Sequence, residues 1–276
     1  MSQVFKPLVI LPTFKEKSNL PGLIQAILSV DSRLHVLVVD DNSPDGTADV
    51  VRELMAILGD NRLFLETRAG KLGLASAYVH GFSWALTAGY DFMIEMDADW
   101  SHQPKYLAEM LRLADEHDVV IGSRYVVGGG TLNWSFGRKL LSRGGSLYAR
   151  LVLGIDICDF TGGFNGWHSN VLQRAGIDSI LSQGYSFQIE LKYRAAQHGF
   201  TYAEFPILFD ERRAGESKMS AAIAVEAIWR VWAIRWSKRG TNQEPSKQPG
   251  LPTSTDSIPE TELTTAIGKQ RGKEKR

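Results

Sequence analysis

The stretch "IEMDADWSHQP", residues 94–104, carries an apolar run into two aspartates, Asp97 and Asp99, with Ala98 alone between them. The longer segment "DFMIEMDAD" reads as a buried strand that gives out at its carboxylates. Residues two apart on a strand share a face, so Asp97 and Asp99 are expected to aim at one point. Two neighbouring carboxylates repel each other and raise one pKa unless a cation sits between them. Hard divalent ions, Mg2+ or Mn2+, take oxygen ligands and commonly share carboxylates with substrate phosphates. A local reading is also open, in which Asp99 or Ser101 caps a helix starting near Pro104. Capping needs one acid and a metal uses both, so the pair is read as metal ligands beside a diphosphate.

Outward from this stretch the pattern repeats. "PLVILPT", "HVLVVDD", "LFLE" and "DVVIGSR" are further apolar runs, and residues 19–30, 46–58 and 74–88 carry apolar side chains at helical spacing. Strand and helix in alternation predict an α/β fold, a mostly parallel sheet covered by helices on both faces. Such sheets bind ligands beyond the carboxyl ends of their strands. Three of these strands end in polar clusters, "PTFKE", "DDNSPDGT" and "DADWSH", which predicts one shared site. In "VVDDNSPDGT", residues 38–47, two readings stand together. Residues 42–46 make a turn into a helix, and Asp40 or Asp41 can accept hydrogen bonds from a ribose or a base edge.

Composition narrows the classes. The chain has 276 residues, 43% of them hydrophobic, enough for one large α/β domain or two small ones. Thirty-one basic residues balance thirty-one acidic ones, so bulk charge favours no nucleic-acid partner. The one cysteine, Cys158, supports no disulfide framework and suits a reducing compartment. The N-terminal apolar run is short and meets proline early, unlike a signal peptide. No window reaches the roughly 20 apolar residues of a spanning helix. The expectation is a cytoplasmic protein, soluble or peripheral on the cytoplasmic face of a membrane. "RAGKLGLASAY" lacks P-loop spacing, no GxGxxG joins a strand to a helix, and the six histidines form no HExxH. His102, beyond Asp99, reads first as a turn residue and otherwise as a neighbour supporting the acids.

Basic residues supply the counterpart to the acids. Arg124 ends "VVIGSR", on the same sheet edge as the aspartates, and Arg138, Lys139 and Arg143 open the next helix beside Ser142. "DERRAGESK" adds Arg212, Arg213 and Lys218. Arginine forks match phosphate oxygens, and lysine provides a point charge. Two amphipathic helices follow the sheet region. In residues 138–153, Leu140, Leu147, Tyr148 and Leu151 share one side, with Lys139, Arg143 and Arg150 on another. Residues 221–236 carry Trp229, Trp232 and Trp236 with Arg230 and Arg235 among them. Such helices either pack on the sheet or lie in a membrane interface, and the tryptophans and arginines favour membrane contact. The expected organisation is a domain over 1–218 that includes helix 138–153, an interfacial helix at 219–237 and a disordered tail at 238–276. The basic end, "KQRGKEKR", adds attraction to anionic lipid.

Nine segments in order resemble the dolichyl (polyprenyl) phosphate mannosyltransferases of glycosyltransferase family 2. They are "LPTFKEKSNLP", "VVDDNSPDGT", "RAGKLGLASAYVHG", "MDADWSHQP", "GSRY", "RKLLSRG", "DFTGGFNGW", "GYSFQIELKYRA" and "FDERRAGESK", spanning about residues 8–236. The resemblance implies the GT-A fold, a Rossmann-like sheet between helices. It also implies metal-dependent inverting transfer of mannose from GDP-mannose to a polyprenyl monophosphate, giving a β-mannosyl phosphate lipid. By the same resemblance Pro12, Phe14, Glu16, Val39 and Asp41 would hold the guanosine. Asp97, Ala98 and Asp99 would meet ribose, metal and diphosphate, with Asp99 the firmest ligand. Arg124, Arg212 and Lys218 would contact the donor or the transferred charge, and Arg138 and Ser142 would seat the lipid phosphate. The chain departs from the family's usual residues in having Phe14 for tyrosine, Ala75 for glycine and Trp100 for an aliphatic residue. Some such chains rely on a separate membrane-spanning partner.

Three other readings share some of these features. One is the same chemistry with UDP-glucose, whose enzymes typically carry spanning helices after the catalytic domain. Another is a phosphatase of the haloacid dehalogenase type, whose DxDx[TV] motif ends its first strand. The third is a nucleotide-sugar binding module without turnover.

Overall fold

The structure is a computed structural model, and it describes residues 5–236 apart from 60, 181, 183 and 211–220. The strands of the main sheet are β1 (Pro7–Thr13), β2 (His35–Asp40), β3 (Leu63–Thr67), β4 (Phe92–Glu95), β5 (Val119–Ser123), β7 (Asn165–His168) and β8 (Tyr202–Pro206). They lie in the order β3-β2-β1-β4-β7-β5-β8. All neighbouring pairs are parallel except those of β7, which runs antiparallel to both β4 and β5. Two short strands, β6 (Gly130–Thr131) and β9 (Leu208–Phe209), form a separate parallel pair.

The helices are α1 (Leu20–Val30), α2 (Thr47–Leu58), α3 (Leu74–Thr87), α4 (Leu107–Ala114), α5 (Phe136–Leu153), α6 (Ser169–Ala175), α7 (Tyr185–Gln197) and α8 (Ala221–Trp236). The period of two along β1 shows in its partners. Leu8 and Ile10 enter the core under α3, whereas Val9 and Leu11 enter the core under α1. Helices α1, α2 and α4 cover one face, and α3, α5, α6 and α7 cover the other. The first three helices start and end within one residue of the limits expected from spacing.

Four differences bear on function. First, β4 ends at Glu95, so Asp97 and Asp99 do not lie on a strand as expected. Met96 still donates to the Ile10 carbonyl, and then the chain leaves the sheet through Trp100, whose φ of +67° is left-handed. Second, β7 and β8 were not anticipated, nor was the β6–β9 pair: β6, β7 and β9 are only two to four residues long, and β8, "YAEFP", carries a glutamate and ends in proline. At Gly166 of β7 any Cβ would collide with the Phe92 ring, so only glycine lets this strand pair beside β4. Third, the stripe of α5 that faces inward is Ser142, Ser146, Ala149 and Leu153, while Phe136, Leu140, Leu147 and Leu151 are exposed. Fourth, α8 packs on α5 and α7 through Val231 and Ile234, leaving Trp229 and Trp236 exposed. No helix among the described residues is long and apolar enough to cross a membrane. The expected tail, 238–276, lies outside the described residues.

Candidate active site

Strands β2, β1 and β4 are neighbours, so the loops that follow them meet at one edge, as their polar endings predicted. Side chains lace the first two loops together. Thr13 donates to Asp40, and the backbone N–H groups of Lys15, Glu16 and Lys17 donate to Ser43, Thr47 and Asp45. Asp40 also accepts from the Ser43 N–H and hydroxyl, so its oxygens serve the turn. Asp41 is held from the other side by Arg68, whose Nε lies 2.6 Å from Oδ1, and by the Leu72 N–H. Phe14 is half-buried at this edge with the Lys71 ammonium 4.3 Å from its ring centre. Pro12 pairs in register with Val39, which is wholly enclosed, and Glu16 accepts from Asn19.

The loop after β4 is held by its own residues. Asp99 Oδ1 accepts from the Ser101 N–H at 3.1 Å and from its hydroxyl at 2.6 Å. No side chain caps the short turn at Pro104–Tyr106, so the capping role is not what these acids do. His102 is buried, and its Nδ1 accepts the Asp97 N–H at 3.0 Å, which leaves the proton of the neutral ring on Nε2. Burial pushes the His102 pKa down to about 4, so the ring is neutral near pH 7. His102 therefore works as a buried support for the acids, not as a plain turn residue. Under this loop lies Tyr78 of α3, fully buried, its hydroxyl turned toward the Asp97 carboxylate. Burial, then the charges of Asp97, Glu95 and Asp99, raise its pKa well above the ordinary value, so it keeps its proton. Two carboxylates, Asp97 half-exposed and Asp99 nearly buried, suit a hard cation by donor chemistry. No group of three or more acidic, histidine or cysteine side chains among the described residues makes a fuller metal cage. Remaining ligand positions would fall to phosphate oxygens and water.

Across the edge, Arg124 follows β5. Its guanidinium forms a buried fork on Asp159, Nε to Oδ2 at 2.7 Å and Nη2 to Oδ1 at 2.8 Å, and also reaches Thr161. Ser142 of α5 accepts from the Tyr125 hydroxyl at 2.7 Å. Arg138 stacks on Trp134. The structure thus brings Arg124, Arg138 and Ser142 to one corner. Asp210 closes the described part of this corner, accepting from the Asn133 amide while its N–H points at the Ser101 carbonyl. Arg212 and Lys218 lie outside the described residues.

Residues 8–176 match the sequence pattern of glycosyl transferase family 2. The chain belongs to this family. Over an alignment of 233 residues the chain is 42% identical to the polyprenol monophosphomannose synthase of Mycolicibacterium smegmatis, covering 83% of this chain and 88% of that one. The undecaprenyl-phosphate mannosyltransferase of Micrococcus luteus is 43% identical over 233 residues, 83% of this chain and 95% of that one. Among solved structures, a mannosyltransferase of Pyrobaculum calidifontis with GDP-Man and Mn2+ superposes with a TM-score of 0.56 at 20% identity. That match covers 83% of this chain and 63% of the other, just under two thirds of it. A glucosyl-3-phosphoglycerate synthase of Mycobacterium tuberculosis gives a TM-score of 0.61 at 17% identity, covering 84% and 79%. These likenesses establish the GT-A fold.

Beneath this edge lie buried charges, Glu95, Asp159 and Lys192, whose partners their sequence positions did not reveal. Burial alone would raise the Asp159 pKa, yet Arg124 more than reverses this and brings it to about 2. The loop carrying Asp159 is gripped by Lys192 of α7, which donates to the carbonyls of Asp159, Phe160 and Gly162. Burial lowers the Lys192 pKa to about 8 against the opposing charges of Asp159, Glu95 and Glu204. Glu95, at the end of β4, accepts from Asn165, Trp167 and Gln188, and burial carries its pKa up to about 7. One signal was available: a glutamate inside the apolar run "FMIEM" has to meet partners in the core. Arg68, directly after β3 and beside β2, is the other residue that spacing alone did not single out.

Proposed function

We propose that the chain transfers mannose from GDP-mannose to a polyprenyl monophosphate with inversion at the sugar carbon, giving a β-mannosyl phosphate lipid. The observation that carries this reading is one sheet edge with the Asp97/Asp99 loop on one side and the Arg124, Arg138 and Ser142 corner on the other. The names of two relatives above 40% identity support the lipid acceptor and the mannosyl group.

In this reading Pro12, Phe14, Glu16, Val39 and Asp41 line the guanosine, and Asp97, Ala98 and Asp99 face ribose and diphosphate. Asp97 and Asp99 would hold Mg2+ or Mn2+, which when bound supplies the charge that stabilises the leaving diphosphate. Arg124, Arg212 and Lys218 bind the donor phosphates, and Arg138 and Ser142 orient the acceptor phosphate. A phosphate monoester has a second pKa of about 6, so the acceptor is mostly a dianion near pH 7 and already nucleophilic. The reaction then needs no strong general base, and the chain's work is to position two anions and exclude water between them.

The test incubates labelled GDP-mannose and labelled UDP-glucose separately with the chain, divalent metal and polyprenyl phosphate. Label from GDP-mannose is expected in the lipid fraction. Label from UDP-glucose alone would select the glucosyl alternative, and label from neither would sink the transferase reading and leave a binding module. The phosphatase reading has lost its footing, since the acids follow the fourth strand of a family-2 fold.

Membrane contact belongs to the same proposal, and with it a place on the cytoplasmic face, with or without a membrane-spanning partner. It is supported by the outward apolar side of α5, where Phe136, Leu140, Leu147 and Leu151 are exposed, and by Trp229 and Trp236 on the adjoining α8. Replacing Leu147 and Leu151 together with glutamate is expected to weaken binding to anionic liposomes about tenfold or more. Unchanged co-sedimentation with vesicles would remove α5 from the membrane-facing surface.

A further inference from the structure

Trp134 lies between β6 and α5, where the basic residues of the acceptor corner meet. The Arg138 guanidinium carbon is 3.9 Å from its ring centre, and that of Arg124 is 5.6 Å away. Phe209 of β9 meets the same indole edge-on, 5.5 Å between centres at 76°. The residue is 8% exposed, and its indole N–H has no hydrogen-bond partner among the described residues. A buried indole usually ties its N–H to an acceptor. Among the described residues this one is tied to none, and a phenylalanine ring and two guanidinium groups pack on it instead. Plain core packing does not call for two cations on one ring.

Charge explains what the stacking achieves. Asp159 already matches the Arg124 charge, and in the acceptor reading Arg138 adds a second guanidinium to bind the phosphate oxygens. Arg138 sits in the first turn of α5 on a long, rotatable side chain. A guanidinium held 3.9 Å from the centre of an indole ring has lost part of that freedom before any ligand arrives, so binding loses less entropy in ordering it.

We propose that Trp134 is a positioning residue for the acceptor phosphate: its ring face fixes the Arg138 guanidinium beside Arg124 and Ser142, preforming a seat for a prenyl phosphate monoester. The inference rests on the acceptor reading above and deepens it.

The test titrates farnesyl phosphate, a short prenyl monophosphate, into the full chain by calorimetry and measures GDP-mannose affinity in parallel. Trp134→Leu is expected to weaken farnesyl phosphate binding about tenfold while donor affinity stays within twofold. Trp134→Phe, which keeps a ring face without an N–H, recovers most of the loss. Arg138→Gln is expected to cost a similar factor, and adding Trp134→Leu to it costs little more, because the tryptophan acts through the arginine. Unchanged acceptor affinity in Trp134→Leu overturns the proposal, and so does an equal loss for donor and acceptor. A phenylalanine variant no better than leucine, or fully additive losses in the double variant, overturns it too. If the wild-type chain binds no farnesyl phosphate, the acceptor reading itself falls and takes this inference with it. Wild-type binding that Trp134→Leu leaves untouched defeats the inference alone.

Discussion

Asp99→Asn is expected to lower mannosyl transfer by at least about a hundredfold to a thousandfold, the scale seen when one electrostatic contact to a developing anion is removed. Asparagine is the informative change because Oδ1 does structural work as well. It accepts from the Ser101 N–H and hydroxyl, and an asparagine oxygen can keep both bonds while the negative charge is lost. Alanine would remove the turn and the charge together. The measurement is transfer of labelled mannose to polyprenyl phosphate over a range of Mg2+ and Mn2+ concentrations, with a thermal melt as the folding control. A loss that high metal concentration partly recovers would agree with a weakened metal ligand. Asp99→Asn with full activity at low metal would remove Asp99 from that role.

Asp159→Asn should lower folding stability by about 3–5 kcal/mol, because it breaks a buried ion pair and leaves the other charge behind. Arg124 is itself buried, and Asp159 also accepts the backbone N–H groups of Arg124 and Gly162. One substitution therefore loosens both the guanidinium and the loop that holds it. For a chain of this size the loss corresponds to a fall in melting temperature of roughly 10 °C. The sign of the pH dependence follows from the direction of the shift. The folded pKa of Asp159 is depressed from 3.8 to about 2. Its contribution is fully present above about 3.8 and is lost as pH falls through about 2. The gap in stability between wild type and Asp159→Asn should hold from pH 7 down to about 4 and narrow below that. Pairing Asp159→Leu with Arg124→Met should destabilise less than Asp159→Asn alone, since no charge is then stranded. Equal melting of wild type and Asp159→Asn at pH 7 would mean the pair does not hold this corner together.

Much of the architecture was legible because its signals are local. Strand and helix periods are written within a few residues of each other, and the first three helices fell within one residue of expectation. The polar endings of β1, β2 and β4 were expected to meet, and they do share one sheet edge, because in a mostly parallel sheet those endings lie on one side. Strand β7 was missed since four residues with a glycine carry no readable alternation, and its place between β4 and β5 depends on the Phe92 ring. The Asp97/Asp99 pair was singled out on a strand geometry that the fold does not have, since β4 ends at Glu95. Strand geometry does not aim these side chains; a turn through Trp100 and the bond to His102 shapes their loop.

Helix α5 shows the limit most clearly. Spacing revealed two stripes, one of leucines and one of basic residues, but a period carries no instruction about which side a neighbour will cover. In the folded chain a third stripe of small residues, Ser142, Ser146 and Ala149, faces inward, and Leu140, Leu147 and Leu151 are left outside. The partners of the buried charges were hidden for the same reason. Arg124 meets Asp159 across 35 residues, and Asn165 and Gln188 reach Glu95 across 70 and 93. Residue order alone established the alternating α/β plan, the acidic loop at a strand end and the family. Which charge neutralises which, and which face of α5 meets solvent, were decided only when distant segments packed, because Coulomb and contact energies depend on distance through space and not on position along the chain.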